Sequence, residues 1–577
     1  MSGRRLAAVA AWAALFVLAA ALTLKDIGSL DYWWHLRAGQ LIAETGAVPS
    51  HDSFTYTVPG ARWIDIHWLH QLGLYALYAA GGHAAVVLAQ VVLVWAWLAA
   101  LAPIGWRPGR SWLSVGALAL MLLVVANRLE PRPELSSFVL LACVLYLLDR
   151  FERLGDRSVY AIVPLQLLWA NVHGLFAVGI AVCGLQLMGE LMRPIGRAGE
   201  RPRMPRVWRL AAVTLLSALA SLANPNGIEG TLYPLAQLDM VGSADRRGAF
   251  GLLISELQPP IGSLSPLSLG LFFGLAALSL GALALNWRRV READLLLWIA
   301  FLYLALGANR NVALFGIVAA PILVRNLNDA LDARPLSARA NAWATTAATV
   351  LALLLTADVM LGRFYDRIGV YRTAGLGVIE GYNPIGAAEW ILHARPPGPL
   401  AHSMADGGYL IWRLWPEYKV MSDGRLEVFG PQTLPALILR DPETFSALDA
   451  RYHFGSVLLN HRREPSALPV WLHASPTWRL AYLDDVSVVF VRAEDDSARE
   501  PELDLGAPGL LPALDDVPDP QARERFRART RLLIQLGRPD LAAQQWERCL
   551  ARFPDEPRGQ EMLAAMRAQQ SSPPAMR

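Results

Sequence analysis

The sequence predicts a polytopic α-helical membrane protein, followed by a small α/β domain and a short helical tail. Three observations predict it. Hydrophobic residues make up 54% of the 577-residue chain and charged residues only 18%, a balance suited to a chain that buries helices in lipid. Apolar runs of spanning length recur up to about residue 361 and then stop. Arginines gather between alternate runs, the asymmetry that sets orientation in a membrane. The net charge of +3 gives no reason to expect a nucleic-acid partner. Cys143, Cys183 and Cys549 lie far apart without CxxC or zinc spacing, so neither a disulfide framework nor redox chemistry is expected.

The first apolar run, residues 6–24, follows Arg4 and Arg5. A cleaved signal is its rival reading, because Ala-rich sequence near residue 20 could be cut. The run is long enough to span, which favours a first helix with a cytoplasmic N-terminus. Further spans are expected at about 84–102, 112–127, 134–149, 159–173, 175–192, 208–223, 265–286, 293–307, 311–325 and 342–361. Residues 66–82 read as an amphipathic helix at the surface, so a transmembrane domain of residues 1–361 would have eleven crossings. Loops then assigned to the cytoplasm hold Arg107 and Arg110; Arg150, Arg153 and Arg157; Arg193, Arg197, Arg201, Arg203 and Arg206; Arg288, Arg289 and Arg291; and Arg334 and Arg339. The outer short loops are poorer in basic residues, as the positive-inside rule requires.

The first outer loop, residues 25–82, is the chemically dense one. It reads DYWWHLRAGQLIAETGAVPSHDSFTYTVPGARWIDIHWLH from Asp31 to His70. Carboxylates and imidazoles stand among tryptophans, which anchor at headgroup level. Asp31 and His35 are four apart, so a helix would put both on one face. The other outer ends carry Arg128, Glu130, Arg132 and Glu134, then Asn171 and His173, Asn224 and Asn226, Glu256, and Arg310. Snorkelling would account for any one arginine. It does not account for Asp, Glu, His and Asn joining them on the side without the basic bias, so an outward-facing polar cavity is expected.

Residues 362–495 alternate short helical and extended patterns, an extracytoplasmic α/β domain. PIGAAEWILHA is expected as a helix, PLAHSM as extended chain, and GGYLIWRLW as a turn into a helix. YKVMSDGRLEVF, FGSVLLN and the pair LAYLDD and VSVVFVR are expected as strands, with Asp423-Gly424-Arg425 a structural turn at a strand edge. Residues 496–519 form an acidic, Pro-rich linker. The tail, 520–577, resembles one tetratricopeptide unit: Leu536-Gly537 close a first helix, Ala542 and Trp546 pack a second, and Pro554 ends it. One unit is short for a stable solenoid, so the tail is expected to dock on its own α/β domain or on a protein partner.

The membrane part resembles the GT-C glycosyltransferase superfamily, and more narrowly a set of bacterial polytopic proteins within it. The likeness is carried by DYWWHLRAG, PSHDSFTYT, the Trp63–Leu69 run, RPE, WANVHG, ANPNG, SELQPP, NRNVALF, and GGYLIWRLWP with SDGR, over most of residues 26–430. The resemblance implies a multi-pass protein of the bacterial inner membrane. It also implies that an acidic residue just after the first helix serves catalysis or metal binding, and Asp31 holds that place. Where a Glu would be expected before the Trp-Leu pair, this chain has Ile66-His67.

Moving a sugar off a lipid phosphate requires a base for the acceptor hydroxyl and positive charge for the departing phosphate. Asp31 can be that base, or can bind a divalent ion such as Mg or Mn with His35 and Asp52. Arg132 and Arg310 can hold phosphate oxygens with help from His173. His67, Asn171, Asn224 and Glu256 are further candidates for the cavity wall. No Gly-rich nucleotide loop is present, which fits a lipid-linked donor. The reading favoured is an inverting membrane glycosyltransferase with a polyprenyl-phosphate donor. The others are a metal-independent glycan ligase with a lipid-diphosphate donor, and a non-catalytic envelope assembly protein on the same scaffold.

Overall fold

The computed structural model describes residues 3–193, 202–242, 254–464, 466–493, 503–507, 510–511, 513–517 and 519–571. Arg197 and Arg201, and much of the 496–519 linker, lie outside them. The chain divides into two compact units, one of residues 1–50 and 63–378, the other of 51–62 and 379–577.

The first unit is helical, and each of the eleven apolar runs contains a helix. Six helices among the described residues are long and apolar enough to cross a membrane: Gly3–Thr23, Trp68–Leu101, Ser111–Arg128, Pro266–Leu285, Asn309–Ala333 and Ala338–Met360. The run at 159–173 departs from expectation. Its α-helix, Ile162–Ala170, has nine residues, or about 14 Å at 1.5 Å per residue, against roughly 30 Å of hydrocarbon. Asn171 ends it, its side-chain amide donating to Leu167 O and Ala223 O, both at 2.9 Å.

The amphipathic helix expected at 66–82 is the first limb of Trp68–Leu101, broken from the second at Gly81 and Gly82. Gly82 has φ 64°, a region costly for residues with a Cβ, so the change of direction falls there. Helix Asp31–Thr45 lies against that first limb through Gly39, where a Cβ would stand 2.0 Å from the Gln71 carbonyl oxygen. This contact holds Asp31 and the tryptophans after it in place. Helix Pro133–Leu154 starts with proline at its first turn and ends at Gly155 with φ 65°, the usual asymmetry of helix ends.

Residues 362–378, expected in the α/β domain, pack with the helices of the first unit. The Tyr365 hydroxyl donates to Leu22 O (3.0 Å), the Asp26 carboxylate accepts from Thr373 Oγ1 (2.7 Å) and Gly377 N (2.9 Å), and Ile27 bridges Val378.

The second unit is built on a four-stranded sheet in the order β1-β2-β4-β3, with β1 Leu400–Ala401, β2 Ser456–Leu459, β3 Trp478–Leu483 and β4 Val488–Arg492. β1 runs parallel to β2, and β4 is antiparallel to β2 and β3, with Phe490 opposite Val457 and Leu480. The hairpin expected from LAYLDD and VSVVFVR is therefore present. Asp484 closes it by accepting from Val486 N (2.8 Å) and Ser487 N (2.7 Å).

YKVMSDGRLEVF is not a strand. Val420 makes one isolated bridge, to Thr55, and Leu426–Ala436 is a helix interrupted at Gly430. The cause is a buried ion network at the turn: Arg425 donates to Asp423 Oδ2 and Asp52 Oδ1, both at 2.7 Å, with all three side chains inaccessible. Phe54 lies against the guanidinium, 4.9 Å from ring centre to Cζ. Segment 51–62 thus belongs to this unit, although the sequence reads it as part of the first outer loop.

The tail consists of helices Asp519–Gln535, Pro539–Arg552 and Gly559–Ser571, with Gly537 at φ 68° between the first two. Trp546 is buried and donates to Gly559 O at 2.8 Å. The tail docks on its own α/β domain: Arg529 is buried and pairs with Asp485, and Arg525 reaches Glu380 at 3.1 Å.

Candidate functional site

The expected outer residues of the first unit come together. Asp31 stands in the first turn of its helix, where Trp34 Nε1 donates to its Oδ1 at 3.2 Å. Arg132, just before helix Pro133–Leu154, places Nη2 3.6 Å from Asp31 Oδ2. Its Nε donates to Ser29 Oγ at 2.8 Å, and its Nη1 to Glu256 Oε1 at 2.7 Å. The same Glu256 oxygen receives Arg128 Nη1 at 2.6 Å, while Arg128 Nε donates to Glu134 at 2.9 Å. One carboxylate oxygen thus bridges two guanidiniums. Burial would raise the Glu256 pKa, but Arg132 and Arg128 outweigh it and hold the carboxyl below its usual range.

Beside this lies a second charge group, of which the sequence singles out Glu130 but neither Lys25 nor Arg372. Glu130 pairs with Arg372 (2.9 Å) and Lys25 (3.5 Å), and Lys25 also donates to Ala126 O at 3.2 Å. Burial brings Lys25 down to about 8 against the pull of Glu130. Gly28, Ser29, Asn127, Arg128, Glu130, Arg132, Glu256 and Arg372 line a small polar cavity. Arg128 and Glu130 were visible as neighbours of Arg132, whereas nothing in the sequence marks Arg372.

Arg310 joins from the turn Asn309–Asn311. Asn309 N donates to Gln258 O at 2.7 Å, which stitches this turn to the Ser255–Leu257 turn carrying Glu256. Arg310 feels the charges of Glu134, Arg128 and Glu256, yet forms no hydrogen bond or ion pair with the described residues. It is the cation of the cluster without a partner there.

A histidine group continues from Asp31. His35, one turn on, lies against Trp34 with ring centres 3.6 Å apart and planes tilted by 34°. The His35 ring lies 5.4 Å from His67 and 5.6 Å from His70, and His67 lies 5.3 Å from His173. His173 Nδ1 shares a 2.8 Å hydrogen bond with Ser137 Oγ, which accepts from Trp169 Nε1 at 2.7 Å. Burial brings His67 down to about 4 and pushes His35 and His173 well below the ordinary imidazole range, with positive neighbours adding to it for both. These rings are neutral at pH 7 and can exchange hydrogen bonds, not charge.

The expected metal set of Asp31, His35 and Asp52 divides between the two units. Asp52 belongs to the second unit, where Arg425, Thr55 Oγ1 (2.6 Å) and Thr55 N (3.0 Å) occupy its carboxylate. Among the described residues no group of three or more His, Cys, Asp and Glu is placed to hold a metal ion. Asn171 and Asn224, expected in the cavity wall, act as staples. Asn171 Oδ1 accepts from Trp68 Nε1 at 3.0 Å, and Asn224 Nδ2 donates to Ser221 O and Gly227 O at 2.8 and 3.0 Å.

No protein-family model matches the chain, and no curated sequence matches it. Solved structures do. The oligosaccharyltransferase AglB of Archaeoglobus fulgidus, in complex with an inhibitory peptide and a dolichol-phosphate, superposes with a TM-score of 0.56 at 14% identity, over 78% of this chain and 69% of that one. The same organism's oligosaccharyltransferase tethered to an acceptor peptide gives 0.53 at 14% identity, over 77% and 68%. ArnT from Cupriavidus metallidurans in its apo state gives 0.50 at 14%, over 84% and 97%. The likeness is one of fold: a polytopic membrane architecture of the GT-C type.

Proposed function

We propose that the protein is an inverting membrane glycosyltransferase that moves a sugar from a polyprenyl-phosphate donor to an extracytoplasmic acceptor. The observation that carries the reading is the meeting of Asp31, Arg132, Glu256 and Arg310 beside neutral His173 on a GT-C fold. A dolichol-phosphate accompanies the AglB neighbour, and the same chemical group suits the arginines here. Asp31, one-third exposed, takes the proton from the acceptor hydroxyl. The freed oxygen bonds the sugar's anomeric carbon from the face opposite the phosphate, and the carbon–oxygen bond to phosphate breaks with its electron pair going to the phosphate. Arg132 and Arg310 stabilise that charge, as preorganised cations do best in a site shielded from water.

The orientation that goes with this reading places the N-terminus and the Arg107, Arg153 and Arg289 loops in the cytoplasm, and residues after 361 outside. Reporter fusions after residues 200 and 400 then report opposite sides; the same side for both removes the topology. The helical tail, read as tetratricopeptide-like, offers its remaining surface to a protein partner.

The test of the chemistry is a membrane transfer assay with expression measured in parallel. Asp31→Asn keeps shape but loses basicity, so transfer falls by roughly 100-fold or more. Arg310→Lys keeps a point charge and loses the planar fork, so it is harmed less than Arg310→Ala. Normal transfer by a well-expressed Asp31→Asn protein would move the assignment to a non-catalytic assembly protein, and a donor requirement for two phosphates would move it to a glycan ligase.

A further inference from the structure

Glu256 sits where an incoming anion would go. Its Oε1 accepts from Arg128 Nη1 and Arg132 Nη1 at 2.6 and 2.7 Å. That is the arrangement two guanidiniums make around a phosphate oxygen. We propose that Glu256 is a built-in competitor of the lipid phosphate, occupying the two-arginine position until the phosphate displaces it. The inference rests on the donor reading given above and deepens it.

Three observations single out Glu256 from the other carboxylates. First, of the two carboxylates on Arg128 it is the accessible one: its side chain is 35% exposed, against 8% for Glu134. Second, the arginines do not depend on it for their positions. Without Glu256, Arg128 keeps Glu134, and Arg132 keeps Ser29 Oγ and the nearby Asp31. The cradle therefore persists when the carboxylate leaves. Third, Arg310 lies within reach of the Glu256 charge but has no partner among the described residues. A carboxylate carries two acceptor oxygens, whereas a sugar-linked phosphodiester carries four, two of them non-bridging, and the spent monoester three non-bridging ones. Phosphate can therefore gain a contact that Glu256 does not make, which is how it would win the exchange. After sugar transfer the same carboxylate competes for the arginines again and promotes release of the spent lipid phosphate.

The test measures binding of a short-chain polyprenyl phosphate, with the matching polyprenol as control, to the full-length protein in lipid nanodiscs. Removing the competitor raises the competent fraction of the site, so Glu256→Gln is expected to bind the phosphate lipid roughly tenfold more tightly. Polyprenol binding should be unchanged. Glu256→Asp, too short to span both arginines, should shift affinity the same way by less. A gain of affinity cannot come from misfolding. Equal or weaker binding by Glu256→Gln, with phosphate still preferred to polyprenol, overturns the competition and leaves the donor reading intact. No preference for phosphate in either protein overturns the donor reading and the competition together.

Discussion

Asp31 and Asp52 come from one stretch of sequence and have opposite fates. Asp52 is inaccessible, and Arg425, Thr55 Oγ1 and Thr55 N saturate its carboxylate. Asp31 is 33% exposed, with Arg132 at 3.6 Å and a single indole donor. The first is a sealed ion pair of the kind that holds one element to another. The second keeps lone pairs free for a reactant. Burial and the number of donors, not residue type or neighbourhood in sequence, separate a structural carboxylate from an available one.

The two ends of helix Pro133–Leu154 repeat the contrast. Near its C-terminal end, Asp149 accepts from Arg153 (2.9 Å), Arg291 (3.2 Å) and Arg325 (3.1 Å), and Arg325 also pairs with Asp294. Each of these charges has an opposite partner. At the N-terminal end, Arg310 has no partner among the described residues, and Glu256 is 35% exposed. A cation without a partner among the described residues, beside an accessible carboxylate, is the end at which the proposed lipid phosphate would bind.

The comparison is broken most directly at Arg425. Arg425→Ala leaves two carboxylates buried without their counter-ion, which should cost about 3–5 kcal/mol. Thermal unfolding of the second unit should come earlier, whereas Asp31→Asn should leave it in place. A small change for Arg425→Ala would show that the network is not a structural clamp.

A smaller effect concerns pH. His67 is held neutral by burial, with its pKa brought from 6.5 to about 4. The unfolded chain therefore binds more protons than the native one between those values, and stability falls as pH drops through that window. His35 and His173 act in the same direction. The loss should approach roughly 1.4 kcal/mol per pH unit for each fully responding histidine, and His67→Gln should flatten the profile. A melting temperature independent of pH between 6.5 and 4 would count against the buried neutral cluster.

Much of the fold is legible in the sequence because hydropathy acts locally. Each apolar run became a helix, and the run of β-branched residues in VSVVFVR became a strand beside LAYLDD. That Asp31, Arg132, His173 and Arg310 share one region was legible from their common side of the apolar runs, since isolated charges there would be costly. The strand expected over YKVMSDGRLEVF failed because its pattern is local, while Arg425 answers to Asp52, 373 residues away.

By itself, the sequence determined the order of helices, that a sheet follows them, and which ends of the apolar runs would be chemically rich. Only the tertiary structure decided that Asp52 is sealed, that segment 51–62 belongs with the second unit, and that Glu256 bridges Arg128 and Arg132 while Arg310 has no partner among the described residues. The physical reason is range. Transfer of an apolar run from water to lipid is summed over neighbouring residues, so a sequence displays it. An ion pair forms between groups brought together in space, here 124 residues apart for Arg132 and Glu256, and its worth depends on burial that no single stretch of chain contains.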